Sequence, residues 1–228
     1  MDRRRAQLGF TLLEMMLGLA LVGIFAASAV IMMGDSTGQA RAKGAARSIA
    51  DLMMLGRTEA IRTGDNHVVF FFEDAANNAL TGPNGRAAAA LLIRDGDADG
   101  VVDAGEKVAA VYVDDTGSLS WGSAFAANLG TPLPAPNDNA GATFPEPDAD
   151  FLCCSFLDPD GNHSRWVAFF PDGLPRAFKT GPFVAGDVTT GNGSVYVTSG
   201  QRDYSVVLAA LGGVRVHGFV PDSEVWTQ

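Results

Sequence analysis

From Met15 to Met33 the sequence MMLGLALVGIFAASAVIMM carries no charge and only Ser28 as a clearly polar side chain. Such a run is about as long as an α-helix needs to be to cross a hydrocarbon core. From Ser36 to Thr63 the pattern becomes periodic. Ala42, Ala45, Ala46, Ile49, Met53, Gly56 and Ala60 recur at three- and four-residue spacing, with Arg47, Asp51, Arg57 and Glu59 between them. That spacing predicts an amphipathic helix with one face reserved for packing. Together the two segments predict one helix from Phe10 to about Thr63, roughly 80 Å long at 1.5 Å per residue. Gly18, Gly23 and Gly34 lie along it, either as weak points or as places where a neighbouring helix packs closely.

After Gly64 the period changes. Short apolar runs, among them His67 to Phe72, Ala88 to Ile93, Val108 to Val113, Phe151 to Phe156, Trp166 to Phe170, Ser194 to Thr198, Tyr204 to Leu211 and Val214 to Phe219, are separated by Gly, Pro, Asn and Asp. These read as strands, and no second helical pattern of comparable length accompanies them. The expected fold class is therefore α+β: a long N-terminal helix, membrane-spanning in its first half, packed through its second half on a mostly antiparallel β-sheet domain. Residues 10–34 form the apolar half, 35–63 the amphipathic continuation and 64–228 the β-rich domain. Asn128 to Asp150, with Pro132, Pro134, Pro136 and Pro145, reads as an irregular surface excursion.

Charge adds direction to this picture. The chain of 228 residues has a formal net charge of -10, and no basic stripe follows residue 65, which argues against a general nucleic-acid binder. Arg3, Arg4 and Arg5 precede the apolar run, so the positive-inside bias puts residues 1–9 in the cytoplasm and everything after Asp35 on the far side. A cleaved secretory signal fits poorly, because its apolar stretch is short and ends at a small-residue site. Here the Ala-x-Ala-like site at Ala26 to Ser28 lies inside the run.

Glu14 decides among the remaining readings. A carboxylate at the head of an apolar helix costs several kcal/mol in lipid, on the order of insertion estimates, unless it finds a partner, and a helix N-terminus favours an anion. The stretch Gly9-Phe10-Thr11-Leu12-Leu13-Glu14 resembles the type IV prepilin signature. The resemblance covers about a tenth of the chain and implies cleavage by prepilin peptidase after Gly9. It further implies methylation of Phe10 as the new N-terminus, and an assembly role for Glu14, which in that family pairs with the N-terminal amine of a neighbouring subunit. Residues 1–9 would be the leader. The implied partners are prepilin peptidase, other pilin or pseudopilin subunits and the bacterial inner membrane. The β-rich domain would lie in the periplasm or in an extracellular filament.

The order of a helix followed by strands, the Phe170-Pro171-Asp172-Gly173 turn and the closing Leu211-Gly212-Gly213-Val214-Arg215-Val216 resemble the GspH/FimT branch. The implied function is that of a minor pilin or pseudopilin, in a type IV pilus or a type II secretion pseudopilus. Some FimT-like proteins bind DNA through a Gly-Arg-x-Arg motif. The corresponding Gly213-Val214-Arg215-Val216 lacks one of the two arginines, and removal of residues 1–9 makes the chain more negative still, so DNA is not the expected partner.

One stretch carries metal chemistry. Asp95-Gly96-Asp97-Ala98-Asp99-Gly100-Val101-Val102-Asp103-Ala104-Gly105-Glu106 fits the twelve-residue calcium loop, with carboxylates from Asp95, Asp97, Asp99, Asp103 and Glu106, the backbone carbonyl of Val101, and glycine at the sixth position. Its flanks read as strands rather than as the helices of an EF-hand, so calcium binding competes with a plain solvated hairpin, and a membrane-anchored calcium-dependent module stands beside the filament reading. Cys153 and Cys154 are expected as core residues without a bond between them, because neighbours on a strand face opposite sides. His67, His163 and His217 have no metal-ligand spacing, and no nucleophile elbow or Walker loop is present. The expected role is not enzymatic.

Overall fold

A computed structural model describes residues 11–112, 120–126, 128–132, 134, 153–180, 183–200 and 202–228, with side chains for all of these except 29–37. The chain divides into two compact units, residues 1–37 and 38–228. Helix α1 is Leu12–Thr63. Its start at Leu12 follows from Thr11, whose carbonyl accepts the Met15 N–H at 3.2 Å. Its end follows from Gly64 at φ +77°, a left-handed position that glycine takes without steric cost.

In the first unit the described side chains from Thr11 to Ser28 are exposed on every side of the helix. Among the described residues no helix is long and apolar enough to cross a membrane. The expected membrane-spanning first half is thus present only as an exposed apolar helical stretch from Leu12 to Ser28, and the side chains that would extend it lie outside the described set.

In the second unit fourteen strands, numbered in chain order, follow α1 among the described residues. One five-stranded sheet runs β3 (Lys107–Tyr112), β2 (Ala88–Asp95), β1 (Asn66–Phe71), β7 (Trp166–Phe169), β8 (Pro175–Arg176). The other runs β14 (Val225–Thr227), β13 (Val214–Val220), β12 (Asp203–Leu208), β11 (Gly193–Thr198), β4 (Ser120–Trp121). Two short pairs complete the set, β5 (Phe156–Leu157) with β6 (His163–Ser164) and β9 (Phe178–Lys179) with β10 (Val184–Ala185). Every pairing is antiparallel. The expected α+β class with antiparallel sheets is what forms, with two large sheets.

The main core lies where α1 meets one face of each large sheet. Ala42, Ala46, Ile49, Met53 and Ala60 join Val69, Phe71, Leu92 and Phe169 of the first sheet and Val195, Val197, Val206 and Leu208 of the second. Full burial of a side chain such as Ile49 or Met53 contributes about 1.5–3 kcal/mol. The other face of the first sheet is covered too, by a cluster containing Val68, Phe70, Leu91, Ile93 and Phe178. Both faces of β1 and β2 are therefore buried, and that is why their sequences read as apolar runs rather than as alternation.

Small residues set the helix-to-sheet distance. A Cβ on Gly56 would stand 3.0 Å from Leu92 Cδ1 and 3.3 Å from Phe169 Cδ2. One residue on, Arg57 Nη1 donates to the carbonyl of Gly212 at 3.0 Å, in the turn between β12 and β13, where Gly212 holds φ +80°. The loop after β4 is fastened by the buried Asp203, whose carboxylate accepts the N–H groups of Ala124, Phe125 and Ala126 at 3.0, 2.8 and 3.0 Å and the Ser123 hydroxyl. Four donors on one carboxylate satisfy a group that would otherwise be costly to bury.

The cysteines depart from expectation. Cys153 and Cys154 are joined in a disulfide, with Cα atoms 3.8 Å apart. The strand-alternation argument does not hold here because the pair is not in a regular strand. Cys153 sits in a turn and Cys154 makes a single bridge to Val195. Both are buried against the main core. Most of the excursion expected from Asn128 to Asp150 lies outside the described residues.

Candidate functional site

At the head of α1 a local motif holds Glu14. Its Oε2 accepts the Thr11 N–H at 3.0 Å and the Thr11 hydroxyl at 2.9 Å, while the Glu14 N–H donates back to Thr11 Oγ1 at 3.2 Å. This reciprocal arrangement is a capping box. It satisfies donors that every helix N-terminus leaves open. Sequence reasoning assigned Glu14 to assembly and passed over the cap, although Thr11-Leu12-Leu13-Glu14 ahead of an apolar run is its signature. Gly9 and Phe10 lie outside the described residues. Beyond the cap, Leu12, Leu13, Met16, Leu17, Leu19, Val22, Ile24 and Phe25 are all exposed. A helix that is apolar all round suits apolar surroundings, and none covers these side chains among the described residues.

The second arrangement is the connection between β2 and β3. The two strands pair antiparallel, Leu91 opposite Ala110 and Ile93 opposite Lys107, so the loop closes a hairpin, in the strand-loop-strand form that its flanks suggested. The left-handed Gly100, φ +70°, turns the chain inward. A Cβ there would lie 2.8 Å from Phe178 and 3.0 Å from both Phe183 and Thr180, so any larger residue is strained and crowds those side chains.

Asp95, Asp97 and Asp99 each bring a carboxylate oxygen within 4.8 Å of the other two. Asp95 is 1% exposed, while Asp97 and Asp99 stand in solvent. Asp95 Oδ1 accepts the N–H groups of Asp99 at 3.1 Å and Gly100 at 3.3 Å. Asp99 Oδ1 accepts the Val101 N–H at 2.7 Å. Glu106 reaches back across the loop, its Oε1 accepting the Gly96 N–H at 3.2 Å. Its own N–H donates to the Asp103 carbonyl at 3.2 Å. Burial raises the Asp95 carboxyl above the usual carboxylate range, with the charges of Asp99 and Asp97 adding to it. Glu106 is raised by burial and by the charges of Asp97 and Asp95. Of the six residues assigned to the loop by spacing, the structure gathers Asp95, Asp97 and Asp99. Asp103 and Glu106 are not part of that close group, and Val101 is exposed.

Other residues of interest stand apart. Arg215 is exposed on β13, opposite Val207 of β12. His67 and His217 are buried, and burial lowers both below the ordinary histidine value. His163 is exposed on β6. No histidine joins the acidic group, which is the sole cluster of metal-ligating side chains among the described residues.

Residues 4–30 match the family described as the prokaryotic N-terminal methylation motif. No curated protein and no solved structure matches the chain. The chain carries a type IV prepilin-like signal at its N-terminus.

Proposed function

We propose, from that prepilin-like signal, that the protein is a structural subunit of a type IV pilus or of a type II secretion pseudopilus, a minor pilin or pseudopilin. It is made as a precursor held in the bacterial inner membrane by one pass of its N-terminal helix, with the β-rich domain on the far side. Prepilin peptidase cuts it after Gly9, Phe10 becomes the methylated N-terminus, and Glu14 registers the subunit against the amine of its neighbour in the filament.

The observation that carries this reading is the match of residues 4–30 to the methylation motif. Two further features support it. The apolar side chains from Leu12 to Phe25 face outward around the whole helix, as a filament core or a bilayer requires. The capping box holds the Glu14 carboxylate at the very start of that helix, on Thr11, which follows in sequence the Phe10 on which cleavage would create the new amine. When that amine forms, Thr11 and a neighbouring N-terminus compete for the same carboxylate. The net charge of -10 and the single arginine of Gly213-Val214-Arg215-Val216 weigh against DNA as the partner.

Intact-mass spectrometry of the protein from native membranes tests the reading. The wild-type chain is expected to begin at methylated Phe10 and the Gly9→Ala variant to keep residues 1–9. A wild-type chain that retains residues 1–9 would overturn the filament assignment and leave a membrane-anchored binding module.

A further inference from the structure

Processing and assembly give the Asp95–Glu106 loop nothing to do, yet its spacing fits the twelve-residue calcium loop. Two readings compete. In a plain acidic hairpin the carboxylates point into water, which satisfies them at no cost. In a cation site some carboxylate oxygens are withdrawn from water and kept free of protein donors, because the ion is their partner.

The geometry favours the second. Asp95 is almost wholly buried, and while its Oδ1 is held by two backbone N–H groups, its Oδ2 is buried with no hydrogen-bond partner. Glu106 repeats the arrangement at the far end of the loop: Oε1 holds the Gly96 N–H, and Oε2 is buried without a partner. A buried acceptor without a donor is costly, more so when it is ionised. The nearby cations do not relieve it. Arg94 pairs with Asp65, Nε to Oδ2 at 2.7 Å, and Lys107 Nζ donates to Thr81 Oγ1 at 2.6 Å. Neither basic side chain that brackets the loop is thus the partner of these two oxygens, which have none among the described residues.

We propose that this loop is a calcium site in which Asp95, Asp97 and Asp99 supply the first oxygens and Glu106 closes the far side. Two oxygens bound to one calcium ion at 2.3–2.6 Å can stand up to about 5 Å apart, and the three aspartates already meet that limit at 4.8 Å. The Val101 carbonyl and Asp103, at the seventh and ninth positions, complete an oxygen set of six or more. Such a set, on a flexible loop rich in carboxylates, suits calcium better than magnesium, which demands a small octahedron and keeps its waters. The ion would tie the last residue of β2 to the residue before β3. Through Gly100 it would also fix the loop on Phe178 and Phe183, where that glycine makes its closest approach. The site does not depend on the N-terminal processing.

The test uses the full chain, purified in detergent and stripped of metal, titrated calorimetrically with calcium chloride and separately with magnesium chloride. Thermal unfolding is followed with and without chelator. Calcium is expected to bind at one site, to bind more tightly than magnesium and to raise the unfolding midpoint. At a free concentration a hundred times Kd the folded-to-unfolded ratio rises about a hundredfold. Asp97→Asn and Asp99→Asn change exposed side chains. Each is expected to weaken calcium binding at least about tenfold through the lost ligand charge, while the metal-free midpoint does not fall, because each removes repulsion from Asp95. Absence of both heat and midpoint shift at millimolar calcium would overturn the proposal. So would calcium binding that both variants leave unchanged.

Discussion

Two stretches of one helix both carry apolar residues and behave in opposite ways. Between Leu12 and Phe25 the large apolar side chains are exposed, Leu12 to 80% and Phe25 to 72%. Between Ala42 and Ala60 the apolar side chains Ala46, Ile49, Met53 and Ala60 are all at 0%. Both composition and arrangement separate the two, because Lys43, Arg47, Asp51, Arg57 and Glu59 interrupt the second stretch while Glu14 is the one charge in the first. The second stretch keeps its apolar residues on one stripe, which the two sheets of its own domain can cover. The first spreads them around the helix, the pattern of a helix surrounded by apolar groups on all sides.

A pair of substitutions probes this contrast most strongly. Met53→Asp buries a charge in the main core and is expected to cost about 3–5 kcal/mol. Leu21→Ser, in the exposed stretch, is expected to leave the unfolding of the domain within about 0.5 kcal/mol of wild type. Denaturant unfolding in detergent, read through the β-sheet signal, compares them. If both destabilise equally, the exposed stretch is packed on the domain and the contrast fails.

A finer probe is the spacing between helix and sheet. Gly56→Leu forces side-chain atoms into the space held by Leu92 and Phe169 and is expected to cost about 1–3 kcal/mol. Gly56→Ala gains about 1 kcal/mol of helix propensity against a Cβ contact of 3.0 Å, so it is expected to change the midpoint far less. Equal losses for the two would place the limiting contact on the backbone rather than on side-chain volume.

The smallest effect is expected at the helix start. Thr11→Ala removes the hydroxyl that accepts from Glu14 N–H and donates to Glu14 Oε2. Losing this cap is expected to speed amide exchange of the first helical turn about fivefold, with the domain unaffected. Hydrogen exchange by mass spectrometry in micelles measures it. An unchanged rate would mean that the head of α1 is held by something other than its cap.

The packing face of α1 was legible because its contacts repeat every three or four residues, and each of the seven positions picked out by spacing, Ala42 to Ala60, is buried. The strands of the first sheet were legible for a different reason: burial of both faces leaves an unbroken apolar run in β1 and β2. The acidic loop declared itself by spacing alone, since its oxygens come from one continuous stretch.

What periodicity could not show is pairing between distant segments. β1 pairs with β2 through a connection that follows it, but also with β7, Val68 opposite Ala168. Arg57 reaches Gly212. Those choices depend on which surfaces meet in the folded domain and leave no local trace. The two cysteines were misread for a related reason. The alternation rule was applied to a segment that is a turn at Cys153 and a lone bridge at Cys154.

That disulfide sets an order of events. Both sulfurs belong to residues buried against the main core, and the backbone around them is already committed, with the Tyr196 N–H donating to the Cys153 carbonyl at 2.7 Å and the Ser155 N–H to the Ser194 carbonyl at 2.9 Å. Thiol oxidation requires access by an oxidant, which the closed core denies. Once that core has closed, an oxidant reaches the two thiols only if it reopens, whereas a bond made before β11 docks needs no such opening.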